Sequence, residues 1–311
     1  MEILIDVILK AGRSAVELSL FILLPIMVVM LSLMRLLEAR GVLDWLVLKL
    51  APWLKPLGLT GLGVFAALQI NFVSFAAPVA TLSMMDQRGA SQRHIAATLA
   101  MVMAMAQANV VFPMVAMGLD FGRVLLFSLL GGLVAASATY YGFGRHLSSQ
   151  ETLVDETLQH PVVESTKGVL DVINRAGAEA FKIAIGAIPM LVLSLTVIMA
   201  LRTGGAIDAL TRFLSPVMGF LQLDSGLILL TLTKFLAGGT AMMGVMDEML
   251  RKGLASPLLL NQSAGLLISP LDIPGIAVLI SAGRRVAGVW RPAALGACVG
   301  IGVRTLGHAC F

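Results

Sequence analysis

The chain has 311 residues, of which 58% are hydrophobic and only 13% charged, and its mean hydropathy is +0.93. A soluble domain carries about a quarter charged residues, so the composition excludes one and defines a polytopic membrane protein. The formal net charge of +4 comes from loop Lys and Arg, which in such a chain are orientation signals and not a nucleic-acid surface.

Taken in chain order, the elements occur twice. Ile5-Asp6-Val7-Ile8-Leu9-Lys10-Ala11-Gly12 returns as Leu170-Asp171-Val172-Ile173-Asn174-Arg175-Ala176-Gly177, 165 residues on. Pro25, Gly41, Asp44 and Pro52 return as Pro189, Gly205, Asp208 and Pro216; Met85-Asp86, Pro113 and Gly122-Arg123 return as Met246-Asp247, Pro274 and Gly283-Arg284. The repeat divides the chain into 1–144, a polar linker at 145–167, and 168–311. Internal repeats in an apolar chain mark many secondary transporters, with the substrate site where the copies meet.

Each copy begins with a short amphipathic helix (3–13; 168–178) and a full span (15–37; 180–201). Pro25 and Pro189 each remove one backbone hydrogen bond there and predict a kink. The first span is not a cleaved signal peptide, since no small-residue cleavage site follows and its copy recurs inside the chain. Residues 42–57 and 207–222 are too polar to cross. Asp44, Lys49 and Lys55 with Trp45 and Trp53 predict a helix on the membrane surface.

The next segments, 60–84 and 223–246, are long enough to cross but have the wrong middles. The first holds Gln69, Asn71, Ser74 and Pro78; the second holds Thr231, Thr233, Lys234, Gly238, Gly239 and Thr240. This predicts re-entrant hairpins with tips near 74–78 and 236–240, because irregular backbone at membrane depth is tolerated only inside protein or along a watery cavity. An ordinary kinked span is the alternative. The following span (95–117; 257–281) is broken at Gln107-Ala108-Asn109 and between Ser269 and Gly275. A last span follows at 124–143 and 289–308. Three crossings per copy bring the second copy in from the opposite face, so the expected fold is all-α with two inverted repeats. Each repeat has an interfacial helix, three spans and a hairpin. The Lys and Arg distribution puts the linker in the cytoplasm of a bacterial-type inner membrane.

Leu24-Pro25 before a span, the Gly-Val-Leu-Asp-Trp-Leu core within 36–54, Ala77-Pro78 in the hairpin and the broken span that follows together resemble the nucleoside-recognition or Gate superfamily. That group includes concentrative nucleoside transporters, the membrane part of ferrous iron transport protein B, and spore maturation proteins A and B. The resemblance implies a membrane protein built around paired hairpins and broken helices. Where the nucleoside transporters carry G-Q-T-E-A-P, this chain reads Val73-Ser74-Phe75-Ala76-Ala77-Pro78. Where they carry Asn-Glu-Phe, it reads Lys234-Phe235-Leu236-Ala237. A nucleoside substrate therefore stands as the alternative to a small polar solute, anionic or zwitterionic. No P-loop GTPase is present.

The candidate substrate-binding residues are Gln69, Asn71, Ser74, Gln107, Asn109, Lys234, Thr240, Ser269 and Asp272. Asp272 and Lys234 are an acid and a base deep in apolar segments, where charge costs about 2.5–3.5 kcal/mol on insertion scales and marks a pathway, a relay or a pair. They are expected to meet. Asp272 would then carry a coupling proton or Na+ and Lys234 an anionic group, unless the pair is a structural lock. At the shorter offset of 161 the first copy has Val73 and Val111 at these positions. The amides Gln107 and Asn109 suit hydrogen bonding to a solute or between helices. No cofactor and no metal site are expected: the four histidines lie in loops or near ends, and Cys298 and Cys310 lack ligand spacing. No nucleophile elbow or H-E-x-x-H motif occurs, so no enzyme is expected. A homo-oligomer is compatible with the chain. A membrane scaffold with a dry centre is the rival to a transporter.

Overall fold

The computed structural model describes residues 2–150, 168–206, 209–213, 216, 224 and 226–310, and among them every regular element is helical. Helix α1 (Glu2–Glu17) runs through a π-helical stretch (Leu18–Leu23) into α2 (Leu24–Ala39). From Ile5 to Ala39 this is one apolar rod of 35 residues. The expected boundary between an amphipathic helix and a span is absent, in this copy and in its counterpart α9 (Val169–Thr203). Ending a helix at Gly12 or Gly177 would leave backbone groups without partners in a medium that has no water to offer. In the first copy the wide π-helical turn lies just before Pro25; in the second, Pro189 sits inside an unbroken helix.

Both α1 and α2 pack along α9. The Ser19 hydroxyl donates to the Ala184 carbonyl, 165 residues away, which is the repeat offset itself. Further along the rod, Leu23, Met27 and Leu31 share a core with Ala176 and Ala180. Rising numbers on one helix therefore meet falling numbers on the other, and the two copies of this helix run antiparallel.

Gly41, in the left-handed region at φ 68°, turns the chain into α3 (Val42–Leu54). Trp45 and Trp53 project from it, exposed. The α3 segment meets α4 (Gly61–Phe72) at 107°, as a helix lying across the membrane surface would. Its second copy, 207–222, falls mostly outside the described residues, as does the linker from 151 to 167.

Each segment offered as a hairpin or a kinked span folds back on itself. Helix α4 packs against α5 (Pro78–Gln87), with residues 73–77 between them. The Thr81 hydroxyl donates to Gln69 Oε1 across the pair at 2.7 Å. Helices α10 (Gly226–Ala237) and α11 (Gly239–Arg251) also pack together. Gly238 alone joins them, and its φ of 88° is a conformation glycine enters without steric cost.

The breaks fall close to where the sequence puts them. Helix α6 (Gln92–Ala104) stops, residues 105–107 are irregular, and α7 (Ala108–Ala116) resumes. Likewise α12 (Pro257–Leu267) and α13 (Ile273–Ile280) flank an irregular 268–272. Helix α8 (Phe121–Ser137) continues as a π-helical stretch to Phe143. Helix α14 (Arg284–Gly288) leads to α15 (Trp290–Cys310). Among the described residues five helices are long and apolar enough to cross a membrane; the sixth expected span, 257–281, is present as the two short helices α12 and α13. The rod through α6 and α7 is the centre of the molecule, 94% buried, and α15 packs against α6, α8 and α12. That approach is close: a Cβ on Gly265 would lie 2.6 Å from the Arg304 carbonyl carbon.

Candidate functional site

Each hairpin tip meets a break, and the two junctions are built from related positions. Helices α4 and α10 are both 12 residues long, and Gln69 and Lys234 are each the ninth residue. Gln107 and Asp272 are each the residue that opens the second half of a broken span. The counterparts of Lys234 and Asp272 are thus Gln69 and Gln107, 165 residues away in both cases, and not Val73 and Val111. The shorter offset does not hold for these four positions.

The second junction is charged. Lys234 is 0% exposed and Asp272 3%. The Lys234 ammonium donates to the Leu271 carbonyl at 2.7 Å and to Asp272 Oδ2 at 3.3 Å, and it stands 4.7 Å from the Phe235 ring centroid. Asp272 Oδ1 accepts from the Gly275 amide at 2.7 Å, capping α13. The carboxylate therefore has one oxygen on a helix N-terminus, where the dipole favours it, and one on the ammonium. Hairpin and break are held by a dry, charge-assisted contact.

The first junction is neutral. Asn109 Oδ1 accepts from the Phe75 amide at the tip, at 3.3 Å. Its Nδ2 donates to Thr240 Oγ1 of the second hairpin, also at 3.3 Å. Gln107 Nε2 reaches the Ser269 carbonyl in the second break at 3.5 Å. Asn71 donates to the Ala67 carbonyl at 2.8 Å and accepts from Ser128 at 2.7 Å. The same Ser128 oxygen accepts from the Ala106 amide in the first break at 2.8 Å. Asn71, Gln107, Asn109, Ser269 and Asp272 are buried among packed helices; Gln69 and Thr240 are half-buried.

Sequence reasoning missed Arg304. Lys234 is not the only deep base: Arg304 on α15 is 0% exposed. It donates to the Ala104 carbonyl at the end of α6, and to the Ile268 and Ala264 carbonyls at the end of α12, at 2.8 and 3.5 Å. One guanidinium thus answers the C-terminal carbonyls of both broken spans, the partially negative ends of two half-helices. Among the described residues no carboxylate pairs with it. The signal available was an arginine inside a 21-residue helix with Gly296 and Gly300 on the preceding turns; its distance from the end of the segment concealed its depth.

The open space lies elsewhere. A cavity of about 650 Å³ sits between the first hairpin, α2 and α9. Of the nine predicted residues, Gln69 and Ser74 line it, and the other seven do not. Four charged side chains not predicted for the site also line it: Arg35 and Glu38 from the first copy, Glu179 and Lys182 from the second. Arg35 bridges both acids, at 2.8 Å to Glu38 and 2.9 Å to Glu179. Lys182 could have been found, because it lies inside the apolar run 180–201. Among the described residues no three His, Cys, Asp or Glu side chains are grouped to hold a metal.

The described residues thus form a helical membrane fold in which paired hairpins face paired broken spans. Solved structures with a similar fold include those of CNTnw, a concentrative nucleoside transporter. A doubly substituted CNTnw in an outward-facing state matches 94% of this chain and 75% of its own, with a TM-score of 0.69 at 18% identity. CNTnw in an inward-facing substrate-bound state matches 94% and 74%, with a TM-score of 0.68 at 19% identity. A singly substituted CNTnw in an intermediate state matches 99% and 84%, with a TM-score of 0.63 at 17% identity. At these identities what is shared is the fold. No family model and no curated protein sequence matches the chain.

Proposed function

We propose that the chain is a secondary transporter of a small polar solute, anionic or zwitterionic, built from two inverted repeats spanning 1–144 and 168–311. The observation that carries this reading is the cavity. It is lined from both copies and holds Gln69 and Ser74 beside side chains of both charges, two of them acids bridged by one arginine. The antiparallel packing of the rod and α9 supports the inversion, and so does the contact between a residue and its own repeat position at Ser19 and Ala184. The solute binds at Gln69 and Ser74, with Lys182 on its anionic group. The buried set (Asn71, Gln107, Asn109, Lys234, Thr240, Ser269 and Asp272) holds the tips against the breaks and regulates access. The coupling ion is a proton or Na+, no cofactor takes part, and the linker faces the cytoplasm of an inner membrane. A homo-oligomer is compatible with the exposed apolar faces.

The test is thermal stabilisation of the purified protein by amino acids, organic acids, phosphorylated solutes and nucleosides, together with uptake into proteoliposomes. We expect a charged solute to raise Tm, and the rise to disappear in Lys182→Ala and in Ala80→Trp, which projects a ring into the cavity. A rise confined to nucleosides and unchanged in both variants moves the substrate class to nucleosides and the site elsewhere. No rise and no uptake for any solute favours the scaffold reading.

A further inference from the structure

We infer that the Lys234 ammonium is a tethered cation occupying a monovalent-cation site of the second break, and that shortening the side chain exposes a site for a free cation. The break at 268–272 releases the Leu271 carbonyl from helical bonding. Asp272 uses Oδ1 to cap α13 and leaves Oδ2 free of that task. These two oxygens converge on one point, and the Lys234 nitrogen stands at it, 2.7 Å from the carbonyl and 3.3 Å from the carboxylate. The Phe235 ring closes a further side. A buried carbonyl and carboxylate oxygen form a donor set that hard monovalent cations and ammonium groups share.

The first copy shows what the position looks like without such a demand. There the equivalent residue is Gln107, whose amide donates outward to Ser269 and makes no cap to its own helix. The residue equivalent to Lys234 is Gln69, which accepts from Thr81 within its hairpin. Carboxylate and lysine therefore occur together in one copy and are absent together from the other. The charge at Asp272 needs a cation, and the chain supplies one covalently. The second hairpin is then closed onto its break whatever the ions in solution, and Na+ has no place at this break in the native protein.

The inference concerns ion binding and does not rest on transport. Its readout is the Tm of full-length protein in NaCl, KCl, ethylammonium chloride or choline chloride at equal ionic strength. We expect the native protein to show no difference in Tm among the four that depends on Asp272. Lys234→Ala should melt lower in choline and recover at least half of the loss in Na+ or in ethylammonium, which replaces the missing end of the side chain. Lys234→Ala/Asp272→Asn should show no recovery, and Lys234→Met, which fills the space with a methyl thioether, should show none either. If Lys234→Ala does not survive extraction in choline, extraction in NaCl or ethylammonium chloride reads the same quantity as monodisperse yield. Equal loss in every salt overturns the inference. So does a Na+-specific rise in the native protein that Asp272→Asn removes, because the site would then accept a free cation with the lysine in place.

Discussion

The two hairpin–break junctions share one backbone plan and hold it in opposite ways. The first uses amides and hydroxyls: Asn109 reaches the first tip and the second hairpin through two bonds of 3.3 Å. The second uses an ion pair whose two side chains are buried. Neutral bonds between membrane helices contribute about 0.6 kcal/mol on average, whereas stranding one member of a buried pair costs about 3–5 kcal/mol. The cavity described above lies beside the first hairpin. Side-chain chemistry makes one junction charged and the other neutral on the same backbone plan.

The largest effect is expected where the two junctions share a component. Arg304→Met leaves the Ala104 and Ile268 carbonyls without their donor, while the Ala264 carbonyl keeps the Ile268 amide, at about 1–3 kcal/mol for each of the two orphaned groups. The loss should be on the order of 4 kcal/mol by thermal or denaturant unfolding, and Arg304→Lys should recover only part of it. A loss below about 1 kcal/mol would show that the breaks do not depend on this clamp.

Lys234→Met tests the second junction alone. It strands Asp272 and should cost about 3–5 kcal/mol. The double change Lys234→Met/Asp272→Leu should cost clearly less, because no unpaired charge remains. Equal losses from the single and double changes would remove the charged half of the contrast.

A smaller effect is expected at the second tip. Gly238→Ala places a Cβ at φ 88° and should cost about 1–2 kcal/mol. The smallest belongs to the first junction: Asn109→Ala removes two long bonds and should cost about 1 kcal/mol, at about 0.6 kcal/mol for each. It should also raise hydrogen exchange across 73–77 while leaving Gly238 and its neighbours protected. A loss in Asn109→Ala as large as that in Lys234→Met would erase the difference between the junctions.

Hairpins and breaks were legible in the sequence because their signal is local. Gly, Pro and amides in the middle of an apolar segment are tolerated only where protein encloses them, and Ser74, Pro78, Gln107 and Gly238 say so one by one. The approach of Lys234 to Asp272 was legible for the same reason, since each is isolated in apolar surroundings. The uninterrupted rods from Glu2 to Ala39 and Val169 to Thr203 were not. Gly12, Gly177 and the polar residues around them weaken a helix in water, but between packed helices continuing the backbone ladder costs less than ending it. Arg304 was hidden because linear distance from the end of a helix does not give depth when neighbouring helices cover that end. The cavity charges were hidden because the pairing of Arg35 with Glu179 joins residues 144 apart, which no periodicity reports.

The Arg304 clamp also orders biosynthesis in time. Ala104 and the guanidinium that serves it are 200 residues apart, so the ribosome delivers the carbonyl long before its donor. Until α15 enters the membrane, the end of α6 lacks this donor. The first repeat is therefore translated early and finished late, and a nascent chain cut anywhere before residue 304 would display an unsealed first break to the quality control of the membrane.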